Sequence, residues 1–391
     1  MSVRNGSQFI TGLKAHHEKG LDRACSAEAA VPKFNRRQDD AMSDRMIHLV
    51  GSIPFRTSAE VFERVGSILG ARLYSIPDGE TGERLGWMGW LEPIFAAHPQ
   101  FESTGQKFTP RASGSEITGK YRLKAGVSPE EVRFDNLPFA PIAVESLREF
   151  ERVKRTGAIP PSVRFQLTLA SPISVIRRFV ADEAEQEALI PSYERGLIDE
   201  VGKVASVVPH DQLAVQWDVA SAVFERLERG VPTRFGQTRE EMTRTFAAAH
   251  GKLGMGVPSD VHLQFHLCYG DASHMHSIEP ATSRLLVDFA NRLRTEVKRT
   301  IELVHMPVPR ARTDEAYYEP LADLDLLPET KIALGLVHYT DGVDGTRRRI
   351  AVAEKYRAEF AVATECGFGR RDPETIVPLL RIHAEVAGLR E

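Results

Sequence analysis

His266 and Cys268 stand one residue apart in Phe265-His266-Leu267-Cys268-Tyr269-Gly270, and Cys366 stands in Glu365-Cys366-Gly367-Phe368-Gly369-Arg370. Imidazole nitrogen and thiolate sulfur are the donors that Zn²⁺ prefers. Two such donors with one residue between them, at the end of a strand, point the same way and can reach one ion. Cys366 can close the site only if the fold brings it beside Cys268. A bound zinc would hold its sulfur ligands as thiolates and would deprotonate a further thiol in the same way. The chain has three cysteines, and two of them lie in these contexts. The competing reading is that two cysteines and a histidine are simply core, since free cysteine is among the most buried residue types. Short zinc motifs also show closer second pairs. The elements around these residues decide between the two.

The 391 residues suffice for one large barrel or two ordinary domains. At 42% hydrophobic and 27% charged, the chain can bury a sizeable core. A net charge of −4 gives no basic surplus, so neither nucleic acid nor an anionic membrane is expected as a partner. No apolar run reaches the roughly 18 residues of a membrane span. Three cysteines make no disulfide framework, so a cytoplasmic protein is expected. Neither a Gly-x-Gly-x-x-Gly nor a P-loop supports nicotinamide or nucleotide chemistry. Residues 1–44 are polar and aperiodic and read as a disordered N-terminal tail. They hold no apolar stretch for a secretory signal, and Glu18, Asp22 and Glu28 argue against a transit peptide. Met42 or Met46 is an alternative start of translation. Residues 45–391 read as one catalytic domain.

From residue 46, short β-rich runs alternate with helical patterns. The runs are Met46–Val50, Arg72–Ile76, Val163–Leu169, Leu213–Trp217, Val261–Leu267, Thr300–His305, Lys331–Val337 and Phe360–Thr364. Near-continuous apolar strands separated by helices predict a parallel sheet, and eight of them predict an α/β fold of the (β/α)8 TIM-barrel type. In such barrels chemistry sits at the C-terminal strand ends. Polar residues fall there: Gly51 and Ser52, Asp78 and Glu80, Ser171, Asp218, His266 and Cys268, His305, His338, and Cys366. Closure of a barrel would gather them on one rim. The connection 77–162 is too long to be structureless. It is expected to hold small elements, a hairpin near Lys107–Leu123 among them, and to contribute a lid. His274 and His276 are expected on a surface loop.

These segments resemble the catalytic C-terminal barrel of the cobalamin-independent methionine synthases, over roughly residues 46–388. His266-Leu267-Cys268-Tyr269-Gly270 is similar to that family's zinc-ligand strand, and Cys366-Gly367-Phe368-Gly369-Arg370 to its last ligand. Val50-Gly51-Ser52-Ile53-Pro54 resembles a segment whose backbone holds the amino-acid substrate. Asp78-Gly79-Glu80 resembles one whose carboxylate binds the substrate ammonium, and Gln216-Trp217-Asp218 looks like the Gln-x-Asp segment. Two features depart from the family. Asp218 is followed by Val219-Ala220, where the family has Glu-Pro, and the duplicated N-terminal half is missing. The resemblance implies a fourth ligand from the sixth strand, where the family has glutamate. Glu302 and His305 are the candidates. They point to opposite faces of the strand, and His305 lies at the rim end, which favours it.

The implied reaction is methyl or alkyl transfer from a small-molecule donor to a zinc-activated thiol, most simply homocysteine. Ser52 and Glu80 would hold the amino acid, with Gly51, Asp78 and Ser171 beside them. Asp218 would orient a substrate, and His338 would protonate the leaving group. Asp218 could instead cap a helix, and His338 could be a hydrogen-bonded rim residue. Other readings are a zinc-dependent thiol transferase that opens an epoxide and a non-catalytic zinc protein. A metal-free barrel like uroporphyrinogen decarboxylase, using Arg177 and Arg178, is a further one.

Overall fold

The structure is a computed structural model that describes residues 44–109, 117–271 and 276–389. The expectation for residues 1–44 lies outside the described residues save for Asp44, and so does that for His274.

The strands are β1 (Ser75–Pro77), β2 (Phe101–Phe108), β3 (Thr118–Leu123), β4 (Arg164–Ala170), β5 (Leu213–Val219), β6 (His262–Leu267), β7 (Leu303–Pro307), β8 (Lys331–Gly335) and β9 (Ala361–Val362). Seven form one parallel sheet in the order β1-β4-β5-β6-β7-β8-β9, and β2 and β3 form a separate antiparallel pair. The sheet is curled, because Ile47 bridges in parallel to Leu73 beside β1 and to Val362 in β9. Backbone bonds from Ile47 N to Arg72 O (2.7 Å) and from His48 N to Val362 O (3.0 Å) tie the segment to both edges. The strand expected over Met46–Val50 is thus reduced to a single bridging residue. Helices cover the outer face, and the last, Ile376–Val386, packs on the first, Ser58–Leu69. Among the described residues, no helix is long and apolar enough to cross a membrane.

Alternation along each strand separates two environments. Leu263 and Phe265 of β6 face the helix Arg239–Met255, where a Cβ on Gly254 would meet them at 3.2 and 3.3 Å. Their neighbours Gln264 and His266 therefore face the inside of the curl. The same parity turns Gln166, Gln216 and Asp218 inward. Hydrogen bonds link these interior groups: Ser75 Oγ donates to Gln166 Oε1 (2.7 Å), Gln264 Nε2 to Ser75 Oγ (3.2 Å), and Gln216 Nε2 to Val50 O (2.7 Å) and Asp218 Oδ1 (2.9 Å). A polar interior is tolerable because such bonds offset the loss of water. It also fixes the side chains beneath the site.

The connection 77–162 contains the β2–β3 hairpin, the short helix Glu92–Ala96 and the helix Phe139–Arg155. Phe139–Arg155 packs on Ser58–Leu69 and serves as the crossover to β4, leaving the stretch before it as extra structure.

Candidate metal centre

Asp218, His266 and His305 are register partners on β5, β6 and β7. Cys268 lies one inward position beyond His266, where its N–H still bonds to Val219 O at 2.9 Å. Cys366 follows β9 on a turn shaped by Thr364, whose hydroxyl donates to Cys366 O at 2.7 Å. Ser52 holds the next residues: Phe368 N donates to Ser52 O (2.6 Å) and Gly369 N to Ser52 Oγ (3.2 Å). Gly367 is required by this contact, because a Cβ there would stand 2.6 Å from Ser52 Oγ and 3.1 Å from Ser52 N. The 98 positions that separate the two cysteines are thereby spanned, and their sulfurs stand 3.8 Å apart.

Donor atoms of His266, Cys268 and Cys366 lie within 4.8 Å of one another, so the group could hold a metal. The sulfur spacing is far beyond the roughly 2.05 Å of a disulfide. Two Zn–S bonds of about 2.3 Å at a tetrahedral angle put their sulfurs about 3.8 Å apart. The donor types and this spacing fit zinc.

His305 stands behind the donors. Its Nε2 lies 2.9 Å from Thr364 O, a carbonyl that can only accept, so the ring carries its proton there. Burial holds His305 down to about 4, so the ring is neutral and its Nδ1 is an acceptor. That Nδ1 lies 2.7 Å from His266 Nδ1, which must then be the protonated nitrogen of His266. His266 is left with its Nε2 lone pair for a metal, an arrangement common behind ligating histidines. Both His305 nitrogens are engaged, and it is not in the donor group. Glu302 is no substitute: it accepts from Leu263 N at 2.6 Å and pairs with Arg299, at the opening of β7 away from the rim.

Around the sulfurs, Gly270 N–H donates to Cys268 Sγ at 3.2 Å. Arg370 Nη2 lies 3.7 Å from Cys366 Sγ and 3.1 Å from Asp271 Oδ2. The Cys268 thiol donates to Cys366 and, with Arg370, holds Cys366 below the usual thiol range, while Cys268 is pushed up.

A cavity of about 350 Å³ opens over these donors, lined also by Gly51, Ser52, Glu80 and Asp218. Glu80 is held in a left-handed turn, φ 81° at Gly79 and φ 45° at Glu80 itself. A non-glycine residue there costs on the order of 1 kcal/mol and needs outside support. Asp78 supplies it: its Oδ1 accepts from Glu80 N at 2.9 Å, while Arg84 forks onto both oxygens (3.2 and 2.8 Å) and Ser146 donates at 2.8 Å. Asp78 therefore positions Glu80 and does not line the cavity. Burial pushes the Glu80 carboxyl up to about 8, against Arg84 and helped by Asp78 and Cys366. Burial and Glu80 likewise hold Asp218 well above the usual carboxylate range.

Like Asp78 and His305, the expected residues Ser171 and His338 stand outside the cavity lining. Ser171 starts the helix Pro172–Phe179 with its hydroxyl 3.3 Å from that of Ser174. His338 lies 2.9 Å from Val308 O and 3.8 Å from Glu365, and burial holds it down to about 4, so it is neutral near pH 7. It follows the end of β8 by three residues. His276, expected on a surface loop, is buried between Glu365 (3.2 Å) and Glu279 (3.4 Å). Burial opposes its charge, but the two carboxylates outweigh that and push it up to about 10. Arg370, Asp271 and the Glu365–His276 pair received no role from sequence. The Arg four residues after Cys366 was the available signal.

No protein-family model matches the chain, and no curated protein matches it. Among solved structures the chain is similar to a methyltransferase from Methanosarcina mazei, at 12% identity and a TM-score of 0.45, over 89% of this chain and 97% of that one. So distant a likeness says nothing of the chemistry, which rests on the geometry above.

Proposed function

We propose that the protein is a zinc-dependent transferase that moves a methyl or small alkyl group onto a thiol, with homocysteine as the first candidate. The observation that carries this is the 3.8 Å separation of Cys268 and Cys366 sulfurs, grouped with His266 and opening onto a cavity. Among the described residues three protein donors are grouped, which matches a catalytic zinc site that keeps one position for substrate, whereas structural sites use four. When bound, zinc supplies a Lewis-acid centre at which a thiol is present as thiolate at neutral pH.

The protein's own residues account for the remainder. A sulfur–carbon bond forms as the carbon–leaving-group bond breaks, and its electron pair goes to the leaving group. Glu80 carries a proton at neutral pH and delivers it there, in place of His338, which does not line the cavity. Asp218, oriented by Gln216, accepts from the amino group of the thiol substrate. Gly51 leaves open the space beside Glu80, where a Cβ would approach its carboxylate at 3.5 Å. On this reading residues 46–50 act as the eighth strand of a (β/α)8 barrel. Arg177 and Arg178 line the same cavity, but a decarboxylase gives the paired thiols no task.

The test is X-ray absorption at the zinc edge of purified protein. Homocysteine should add one sulfur to the metal's shell. If only another thiol does so, the reaction class stands and the substrate is wrong. If no thiol does, the zinc is structural. Protein purified without zinc removes the reading altogether.

A further inference from the structure

The cavity has a second wall, built from connections instead of strand ends. The last turn of the helix Pro172–Phe179 brings Arg177 and Arg178 to it, and the end of β2 brings Phe108 and Thr109. Trp87 and Met88 add apolar surface. We propose that Arg177 and Arg178 form an anion subsite that grips a carboxylate or phosphate at the far end of the alkyl donor.

Four observations support it. First, one guanidinium is held in place: Arg178 is 4% exposed, with its guanidinium carbon 5.2 Å from the Phe108 ring centre and 5.8 Å from that of Phe179. Second, positive charge is crowded there. Lys120 Nζ donates to Arg177 O (2.5 Å) and Val180 O (3.0 Å), capping the end of the helix that carries both arginines. Burial and then the two arginines pull Lys120 down to about 8, and burial and then Arg177 pull Arg226 down to about 10. Third, Glu225, the acid among the described residues that line this wall, is itself engaged. Glu225 receives Arg229 at 2.7 Å, and Arg177 stands farther off at 3.9 Å. Fourth, the helix Ser221–Arg229 starts at the cavity with Ala220 at its N-cap, which offers no capping side chain. Its N-terminal N–H groups add to the attraction for an anion. The planar fork of arginine matches carboxylate and phosphate alike.

The assignment to the donor follows from the layout. The thiol, Glu80 and Asp218 occupy the strand-end floor, so the molecule reaching the arginine wall is the other substrate. Its electrophilic carbon faces the floor, its apolar body lies against Trp87, Met88 and Phe108, and its charged end meets the arginines. This assignment rests on the alkyl-transfer reading; the anion subsite itself does not.

Calorimetry with inorganic phosphate and with succinate tests the subsite directly, and the two probes distinguish phosphate from carboxylate. Native protein should bind at least one of them. Arg177→Gln, at a side chain 39% exposed, should keep a cooperative unfolding transition and weaken binding by about tenfold or more. Arg177→Lys keeps the charge without the fork, and should fall between the two and stand in if Arg177→Gln does not fold. Cys366→Ser should bind the anion as native protein does while losing zinc. No binding of either probe to native protein, or equal binding by native and Arg177→Gln protein, overturns the subsite. Intact anion binding in a protein that never contained zinc would instead overturn the transferase reading and leave the subsite standing.

Discussion

The floor and the arginine wall of one cavity are built in opposite ways. The floor uses strand ends whose backbones are fixed by the sheet, and each chemical group is backed by another: His266 by His305, Glu80 by Asp78, Asp218 by Gln216, the Cys366 turn by Ser52. The wall comes from a short helix and a hairpin, and its charges are steadied by aromatic rings and by Lys120. A floor of that kind places atoms to within tenths of an ångström, which bond-making needs. A wall of that kind provides charge and shape, which suffice to choose a substrate. Changes in the floor should therefore act on metal and chemistry, and changes in the wall on affinity.

The largest effect is expected at the donors. Cys366→Ser and Cys268→Ser each remove a thiolate and should lower zinc affinity by more than the roughly 10–100-fold typical of outer-shell changes. Metal analysis after dialysis reads this directly. Either variant keeping a full zinc complement would mean that the sulfurs are core and that the floor has no special construction.

His305→Phe comes next. The ring remains, but the acceptor for His266 Nδ1–H is lost, and His266 can turn or change tautomer. A loss of roughly 10–100-fold in zinc affinity is expected, measured by competition with a chromogenic chelator. Unchanged affinity would assign His305 to packing alone.

His305 also marks where reading the sequence stopped. Alternation and strand-end position were enough to single out His266, Cys268 and Asp218, because both follow from one strand at a time, whereas Glu80, three residues past β1, reaches the cavity through its own left-handed turn. What a ligand set needs in addition is the register between strands. His305 pairs with His266 itself, one inward position below Cys268, so it meets a ring and not the ion. His338, three residues past the end of β8 at Gly335, lies outside the cavity lining, a position that strand parity alone does not fix. Ser52 was legible as a rim residue, but its task of seating Gly367 and Gly369 depends on a contact across more than 300 positions. The wall was less legible still, since no periodicity says which face a loop turns to a cavity.

Gly367→Ala probes that contact. The new methyl would stand 2.6 Å from Ser52 Oγ, which cannot yield without giving up its bond from Gly369 N. Overpacking of this kind costs about 1–3 kcal/mol. Denaturant unfolding should show the loss, and zinc affinity should fall with it because the strain lies beside Cys366. Gly86→Ala, at another residue of the cavity lining and with no atom near its Cβ position, is the control and should leave zinc affinity alone.

The smallest effect, and the most specific to the floor, is the pH dependence of Glu80. Its carboxyl is pushed up to about 8 from the ordinary 4.5 by burial in the folded protein. Between those values the folded protein holds a proton at Glu80 that the unfolded chain has released. The sign follows from linkage: where the folded state binds more protons, stability falls as pH rises. The contribution is fully present below about pH 4.5 and lost as pH climbs to about 8, at a slope no steeper than about 1.4 kcal/mol per pH unit. Glu80→Gln cannot titrate. In chelator-treated protein, the stability of native relative to variant protein should therefore decline across this window and level off above it. A difference that stays flat from pH 5 to 8 would mean that Glu80 is ionised throughout and has no proton to deliver.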